Sequence, residues 1–136
     1  MNSVQYVRPD QIYGLWDGVK DFLDASVKVG SGDCTLEQLK GLLVSNAQTL
    51  LIVVEEDNII GAITIEFINY PNDRVMFITN CGGKNIVNAE TFGQIEEWGK
   101  SQGATKARSY AKKEQSKLYL QKLGCNIMNY VMEKKL

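Results

Sequence analysis

Apolar and polar positions along the chain follow two periods, one of two residues and one of three to four. Residues 4–7, Val4-Gln5-Tyr6-Val7, alternate and predict a short strand closed by Pro9, with Asp10 placed to cap a helix. In that helix Ile12, Leu15, Trp16, Val19, Leu23 and Val27 make one apolar stripe, while Asp17, Lys20, Asp21 and Asp24 occupy the opposite face. Trp16 is thereby assigned to the core. Beyond the loop Gly30-Ser31-Gly32-Asp33, Thr35 and Gln38 have capping-box spacing. Leu36, Leu39, Leu42 and Leu43 then form the apolar face of a second helix ending near Ser45-Asn46.

From Thr49 the period shortens. Leu50-Leu51-Ile52-Val53-Val54, the polar turn Glu55-Glu56-Asp57-Asn58 and the run 59–70 read as an antiparallel hairpin. In its second strand Ile63, Ile65 and Phe67 face one way and Ala62, Thr64, Glu66 and Ile68 the other, which sets Glu66 in mid-sheet. Pro71-Asn72-Asp73 is a turn, and 75–79 is a third strand running into Cys81-Gly82-Gly83-Lys84-Asn85. Asn88 caps the next helix, Phe92, Ile95 and Trp98 form its stripe, and Gly103 follows its end. A strand around 104–110, a helix over about 114–123 stopped by Gly124 and a last strand at 127–133 complete the pattern.

Strand–helix–strand–helix–strand in the second half implies a partly parallel sheet with helices on both faces. The expected fold class is α/β (α+β), a mixed central sheet in a single domain over residues 1–136. An apolar content of 44% with 23% charged residues supports an ordered globular chain. Fifteen basic against sixteen acidic residues exclude a chain-wide cationic field for nucleic acid or membrane. With neither an apolar run of roughly 18 residues nor a signal-peptide pattern, a cytoplasmic location is expected. Cys34, Cys81 and Cys125 are too widely spaced for a thiolate zinc site, and no metal is expected. No histidine is present, which removes Ser-His-Asp and Cys-His pairs and imidazole acid–base catalysis. Acid–base work falls to Asp, Glu, Tyr, Cys, Lys or water.

The element order resembles that of the GNAT acetyltransferase superfamily, and local signals add to the likeness. The hairpin 50–55 and 59–70, with Asn58-Ile59-Ile60-Gly61 opening its second strand, resembles the family's central hairpin. Lys117-Leu118-Tyr119-Leu120-Gln121-Lys122-Leu123-Gly124-Cys125 resembles the family's helix end "A-x-x-L-Y-x-K-x-G-F", whose tyrosine commonly serves as general acid. Tyr119 and Gly124 fall on the matching positions, while Cys125 replaces the aromatic. In the family a strand leads into "Q/R-x-x-G-x-G/A", which holds the CoA pyrophosphate at a helix N-terminus. Here Thr79-Asn80-Cys81-Gly82-Gly83-Lys84 carries two glycines and a lysine without that spacing. Small motif-poor chains of bacteriophage genomes, some in virion gene clusters, are similar in Tyr70-Pro71-(x)2-Arg74-Val75 and the following Gly-Gly.

The resemblance implies acetyl-CoA as co-substrate and an amine or protein acceptor. Its pantetheine would pair with backbone near Phe77, Ile78 and Thr79, with Asn80 beside it among the cofactor-binding residues, and its phosphates would meet Gly82, Gly83 and Lys84. Alternatively the two glycines are a plain structural turn. Glu66 is the candidate base if its sheet face is covered, and a solvated carboxylate otherwise. Tyr119 is the candidate acid, or a packed ring whose hydroxyl reaches water. Asn80 either orients the thioester or caps the turn before Gly82. Arg108, Lys112, Lys113 and Lys117 either steer phosphates or form a solvated face. Tyr110 and Tyr130 either line an acceptor groove or pack on the sheet. Two other readings stand beside the enzyme: an inactive GNAT-like module that self-associates as a homodimer or binds a phage or host protein, and an unrelated α/β binding domain whose third and fourth core strands do not splay.

Overall fold

A computed structural model describes residues 2–30 and 32–136; Ser31, within the predicted Gly30–Asp33 loop, lies outside the described residues. Strand β1 (Asn2–Val7) leads through a single 3-10 turn (Pro9–Gln11) into helix α1 (Ile12–Val29). Asp10 does not cap α1. It sits inside the 3-10 turn and pairs with the Arg8 guanidinium at 3.0 Å, because Pro9 starts the turn before the apolar stripe begins. Ile12, Trp16, Val19 and Leu23 are buried, each contributing about 1.5–3 kcal/mol. Leu15 and Val27 pack at the margin of the same cluster.

Helix α2 (Leu36–Val44) has its capping box: the Gln38 N–H donates to Thr35 Oγ1 at 3.2 Å, and the Thr35 N–H to Gln38 Oε1 at 2.9 Å. Asn46, at φ 64°, turns the chain out of it. Strands β2 (Thr49–Glu55) and β3 (Asn58–Asn69) form the expected hairpin, with Glu56 and Asp57 both left-handed in its two-residue turn. Strand β4 (Arg74–Gly83) is longer than the predicted 75–79 and runs through both glycines. Helix α3 (Ala89–Ser101) is capped by Asn88, whose Oδ1 accepts from the Thr91 N–H at 2.8 Å. Strand β5 (Lys106–Ser109) and helix α4 (Lys113–Lys122) follow.

The sheet order is β1-β2-β3-β4-β5, antiparallel from β1 to β4 and parallel between β4 and β5. One face carries α1 and α2 over Leu50, Ile52 and Ala62; the other carries α3 over Leu51, Val53, Ile63, Ile65, Met76 and Ile78. This is the mixed α/β architecture that the periodicity implied.

The expected last strand at 127–133 is not formed. Residues 124–136 are exposed and hold no place in the ladder, although their apolar run has strand character. A strand needs an edge to bond to, and after the Gly124 cap (φ 67°) the segment is not on one.

Candidate functional site

Strand β4 is joined to β5 over only part of its length. The parallel pairs run Val75↔Lys106, Met76↔Ala107, Phe77↔Arg108 and Ile78↔Ser109, and β4 then continues alone on that side through residues 79–83. At the fork the Ser109 hydroxyl donates to the Ile78 carbonyl at 3.1 Å, closing the ladder with a side chain where the next strand residue would have bonded. Beyond it lies a wedge with one backbone wall, able to receive an extended amide-bearing chain by strand-like hydrogen bonding.

The wall is held by a register shift. Thr64 faces Asn80 and Ile65 faces Ile78, so Thr79 is an extra residue on β4. A directional run of hydrogen bonds fixes this bulge on the α1 side. The Cys81 N–H donates to Ser26 Oγ (3.2 Å), whose hydroxyl donates to Asn80 Oδ1 (3.0 Å). Asn80 Nδ2 donates to Thr64 Oγ1 (3.1 Å), Thr64 to Thr79 Oγ1 (2.6 Å), and Thr79 to Gln48 Oε1 (2.7 Å). Each hydroxyl has one proton to give, and the run uses each once. Ser26, Gln48 and Ser109 were not singled out in the sequence, since single Ser and Gln residues on separate elements carry no local signal.

Several expectations change here. Asn80 does not cap a turn; its side-chain amide bonds to Ser26 and Thr64. Gly82 and Gly83 are strand residues paired with Ala62 and Gly61, not a free turn. A Cβ on residue 82 would fall on the Phe22 carbonyl of α1, and one on residue 83 would meet the Ile60 oxygen at 2.6 Å, with φ at 149°. Close packing of α1 and β3 therefore already requires both glycines. The loop proper is residues 84–88, where the Lys84 N–H is used by the Ile60 carbonyl (3.2 Å) while its ammonium is exposed. The N-terminus of α3 is occupied in part by its own Asn88 cap and carries Glu90 in the first turn, which opposes a second anion there.

Glu66 is exposed, so the covered face that a desolvated base needs is absent. It lies across the ladder from Phe77, whose ring meets Tyr110 edge-on at 4.9 Å. Arg108 stacks over Tyr70 at 5.6 Å, and Lys112, Lys113 and Lys117 are solvent-exposed, a dispersed rather than focused charge. Tyr130 stands on the undocked terminal segment, away from any groove. Tyr119 is half-buried, with its ring edge-on to Phe92 at 6.2 Å against the core under α3. Burial first, then the neighbouring Cys81 and Cys125, push its phenol up to about 12. Burial likewise raises the Cys81 thiol to about 11, so it stays protonated at neutral pH.

Two cavities, of about 380 and 360 Å³, are lined by none of residues 77–83. The first is ringed by Tyr6, Phe67 and Trp98, and Arg74 already fills its cationic role, over Phe67 at 4.4 Å and donating to the Gln102 carbonyl at 2.9 Å. The second is bordered by Phe22, Ile60 and Lys84. The wedge is the more informative feature, since beyond Ile78 no strand of the sheet pairs with β4 on that side.

No family model matches the chain, and no curated protein sequence does. Solved structures do match over nearly its full length. An aminoglycoside acetyltransferase from an uncultured soil metagenomic sample, in complex with sisomicin, superposes with a TM-score of 0.72 at 11% identity, covering 99% of this chain and 96% of that one. A possible acetyltransferase from Clostridium difficile 630 gives 0.70 at 15% identity over 100% and 97%. A predicted acetyltransferase with acetyl-CoA from Clostridium acetobutylicum gives 0.66 at 19% identity over 99% and 96%. At these identities the likeness is one of fold, and the fold is GNAT-like.

Proposed function

We propose that the protein is an acyl-CoA-dependent N-acyltransferase that moves an acetyl group from acetyl-CoA to an amine. The observation that carries this reading is the β4 edge at residues 79–83, left open beyond the Ser109–Ile78 fork in a chain of GNAT-like fold. An extended pantetheine arm presents amides that such an edge can bond from Thr79 and Asn80 onward, through backbone rather than side chains, since Phe77 and Ile78 are already paired with Arg108 and Ser109 of β5. The structural neighbour solved with acetyl-CoA and the one solved with an aminoglycoside fit this choice of donor and acceptor class.

In the reaction the amine nitrogen attacks the thioester carbonyl, the carbon–sulfur bond breaks, the amine gives up a proton and the departing thiolate takes one. Tyr119 is the proposed partner of the thiolate. A phenol held near 12 is a weaker acid than a thiol of about 8.5, so its contribution is a hydrogen bond to the developing sulfur anion, with the proton following from water. Glu66 is proposed to attract the acceptor ammonium as a solvated carboxylate, the proton leaving through solvent. With Gly82 and Gly83 consumed by packing, Lys84 is left as the side chain to meet the CoA phosphates.

The capped, Glu90-bearing start of α3 favours one competing reading, a binding module that has lost catalysis, such as a phage-encoded accessory protein. Calorimetric titration with acetyl-CoA and CoA separates the two. The enzyme reading expects saturable binding and thiol release on adding primary amines; an absence of heat at millimolar CoA overturns it.

A further inference from the structure

The larger cavity, between the end of α3 and the start of β4, is built around one guanidinium. It measures about 380 Å³ and is bordered by the rings of Tyr6, Phe67 and Trp98, with Thr49 and Gln102 among its polar residues. The rings adjoin one another: Trp98 stacks on Tyr6 with centroids 6.0 Å apart and meets Phe67 at 5.6 Å. Tyr6 keeps about half of its surface in contact with solvent. Arg74 is the one charged side chain among the described residues that line the cavity, and no Asp or Glu is among them.

Folding fixes this arginine without pairing it. Its guanidinium lies over Phe67 at 4.4 Å, Nε donates to the Gln102 carbonyl at 2.9 Å, and Nη1 donates to Asn69 Oδ1 at 2.9 Å. Its stem passes Gly103, where Cδ would stand 3.7 Å from a β carbon and φ is 87°. Two of the five N–H donors are thereby used. The other three, one on Nη1 and two on Nη2, have no partner among the described residues. The nearby carboxylates are engaged elsewhere, Asp73 with Lys106 at 3.0 Å and Glu97 with Lys100 at 3.3 Å. A half-buried fork held in this way can bind a carboxylate end-on through Nη1 and Nη2, with its own ordering entropy already met by the fold.

From this arrangement we infer that the cavity is a binding site for a planar aromatic monocarboxylate, with the carboxylate on Arg74 and the ring against Tyr6 and Trp98. One fixed cation with no acidic neighbour in the lining selects a single negative charge. The aromatic wall favours a flat ring over an aliphatic chain. A volume of about 380 Å³ lies at the small end of the range for small-molecule sites, which suits one or two fused rings. From Arg74 to Thr79, where the wedge opens, β4 runs roughly 17 Å at about 3.3 Å per residue. The site is therefore separate from the open edge of β4 and does not depend on acyl transfer.

The test is titration of the intact ¹⁵N-labelled chain with 2-naphthoate, and in parallel with the uncharged 2-naphthalenemethanol, followed by amide and indole resonances. Trp98→Phe tells the two tryptophan indole signals apart. The expected result is a saturable shift of the Trp98 indole and of the amides of Tyr6, Phe67 and Arg74, with Trp16 unmoved. The acid should bind about ten-fold more tightly than the alcohol, the increment of one charge-assisted hydrogen-bonded contact. Arg74→Lys, which keeps the charge and loses the fork, should bring acid and alcohol to within a few-fold of each other. Tyr6→Ala, on an edge strand, should weaken both several-fold and keep the preference for the acid, so the inference stays testable if the arginine variant does not fold. Absence of saturation at millimolar naphthoate, equal binding of acid and alcohol by the unaltered chain, shifts centred outside the cavity, or an unchanged preference in Arg74→Lys would each overturn it.

Discussion

Gly82 faces the backbone carbonyl of Phe22 so closely that a β carbon on residue 82 would collide with it, and strand β4 has no room for a side chain there against helix α1. Gly82→Ala is therefore expected to push α1 off the sheet, a cost at or above the roughly 1–3 kcal/mol of ordinary overpacking, because the obstacle is backbone. Urea melts of the variant measure it. A variant of unchanged stability that loses CoA binding alone would return Gly82 to a ligand-cradling role.

Lys84→Ala is the complementary experiment. Its ammonium is exposed and makes no ion pair with another described residue, so stability should move by no more than about 0.5 kcal/mol. Calorimetry should show CoA weakened several-fold, and dephospho-pantetheine fragments unaffected. Equal weakening of both would place the lysine outside the phosphate site.

Thr79→Val cuts the hydrogen-bond run at the bulge, orphaning Gln48 Oε1 and the Thr64 hydroxyl. A loss of about 1–3 kcal/mol follows from leaving such groups without partners in a half-buried setting. Double-mutant cycles with Ser26→Ala should show coupling along the run, and strict additivity would argue that the links act independently.

Tyr119 and Cys81 predict an alkaline limit to stability. Both have folded values raised by burial, Cys81 from 9.0 to about 11 and Tyr119 from 10.0 to about 12. Their contribution is complete below the unfolded values and is lost as pH rises through the folded ones, because the unfolded chain releases these protons first. Stability should fall from about pH 9 to 12, with Cys81→Ala flattening the lower part and Tyr119→Phe the upper. Tyr119→Phe should also lower kcat by about 10²-fold with little change in KM if the phenol supports the leaving thiolate.

Thr35→Ala removes the helix cap of α2 and should cost about 1 kcal/mol, read as a shift in thermal midpoint without a change in ligand binding.

The periods of the chain were enough to place the helices and most strands. The stripe Ile12, Trp16, Val19, Leu23 is buried as its spacing implies, and the Thr35–Gln38 and Asn88 caps form as written, because each is settled by residues within one turn of each other. The fork and the bulge were not legible in this way. Ser109 and Ile78, or Ser26 and Asn80, meet only after chain segments far apart have packed, and nothing in a Ser or an Asn announces a partner dozens of residues away.

What the sequence determined by itself was local: periodicity, caps, turns, and the strand character of residues 127–133. Whether that last segment finds a ladder, whether Glu66 is covered, and whether Gly82-Gly83 is a cradle or a packing surface were decided only by tertiary structure. Each depends on which backbone lies opposite, and that is set by the docking of α1, α3 and β5, not by neighbours in the chain.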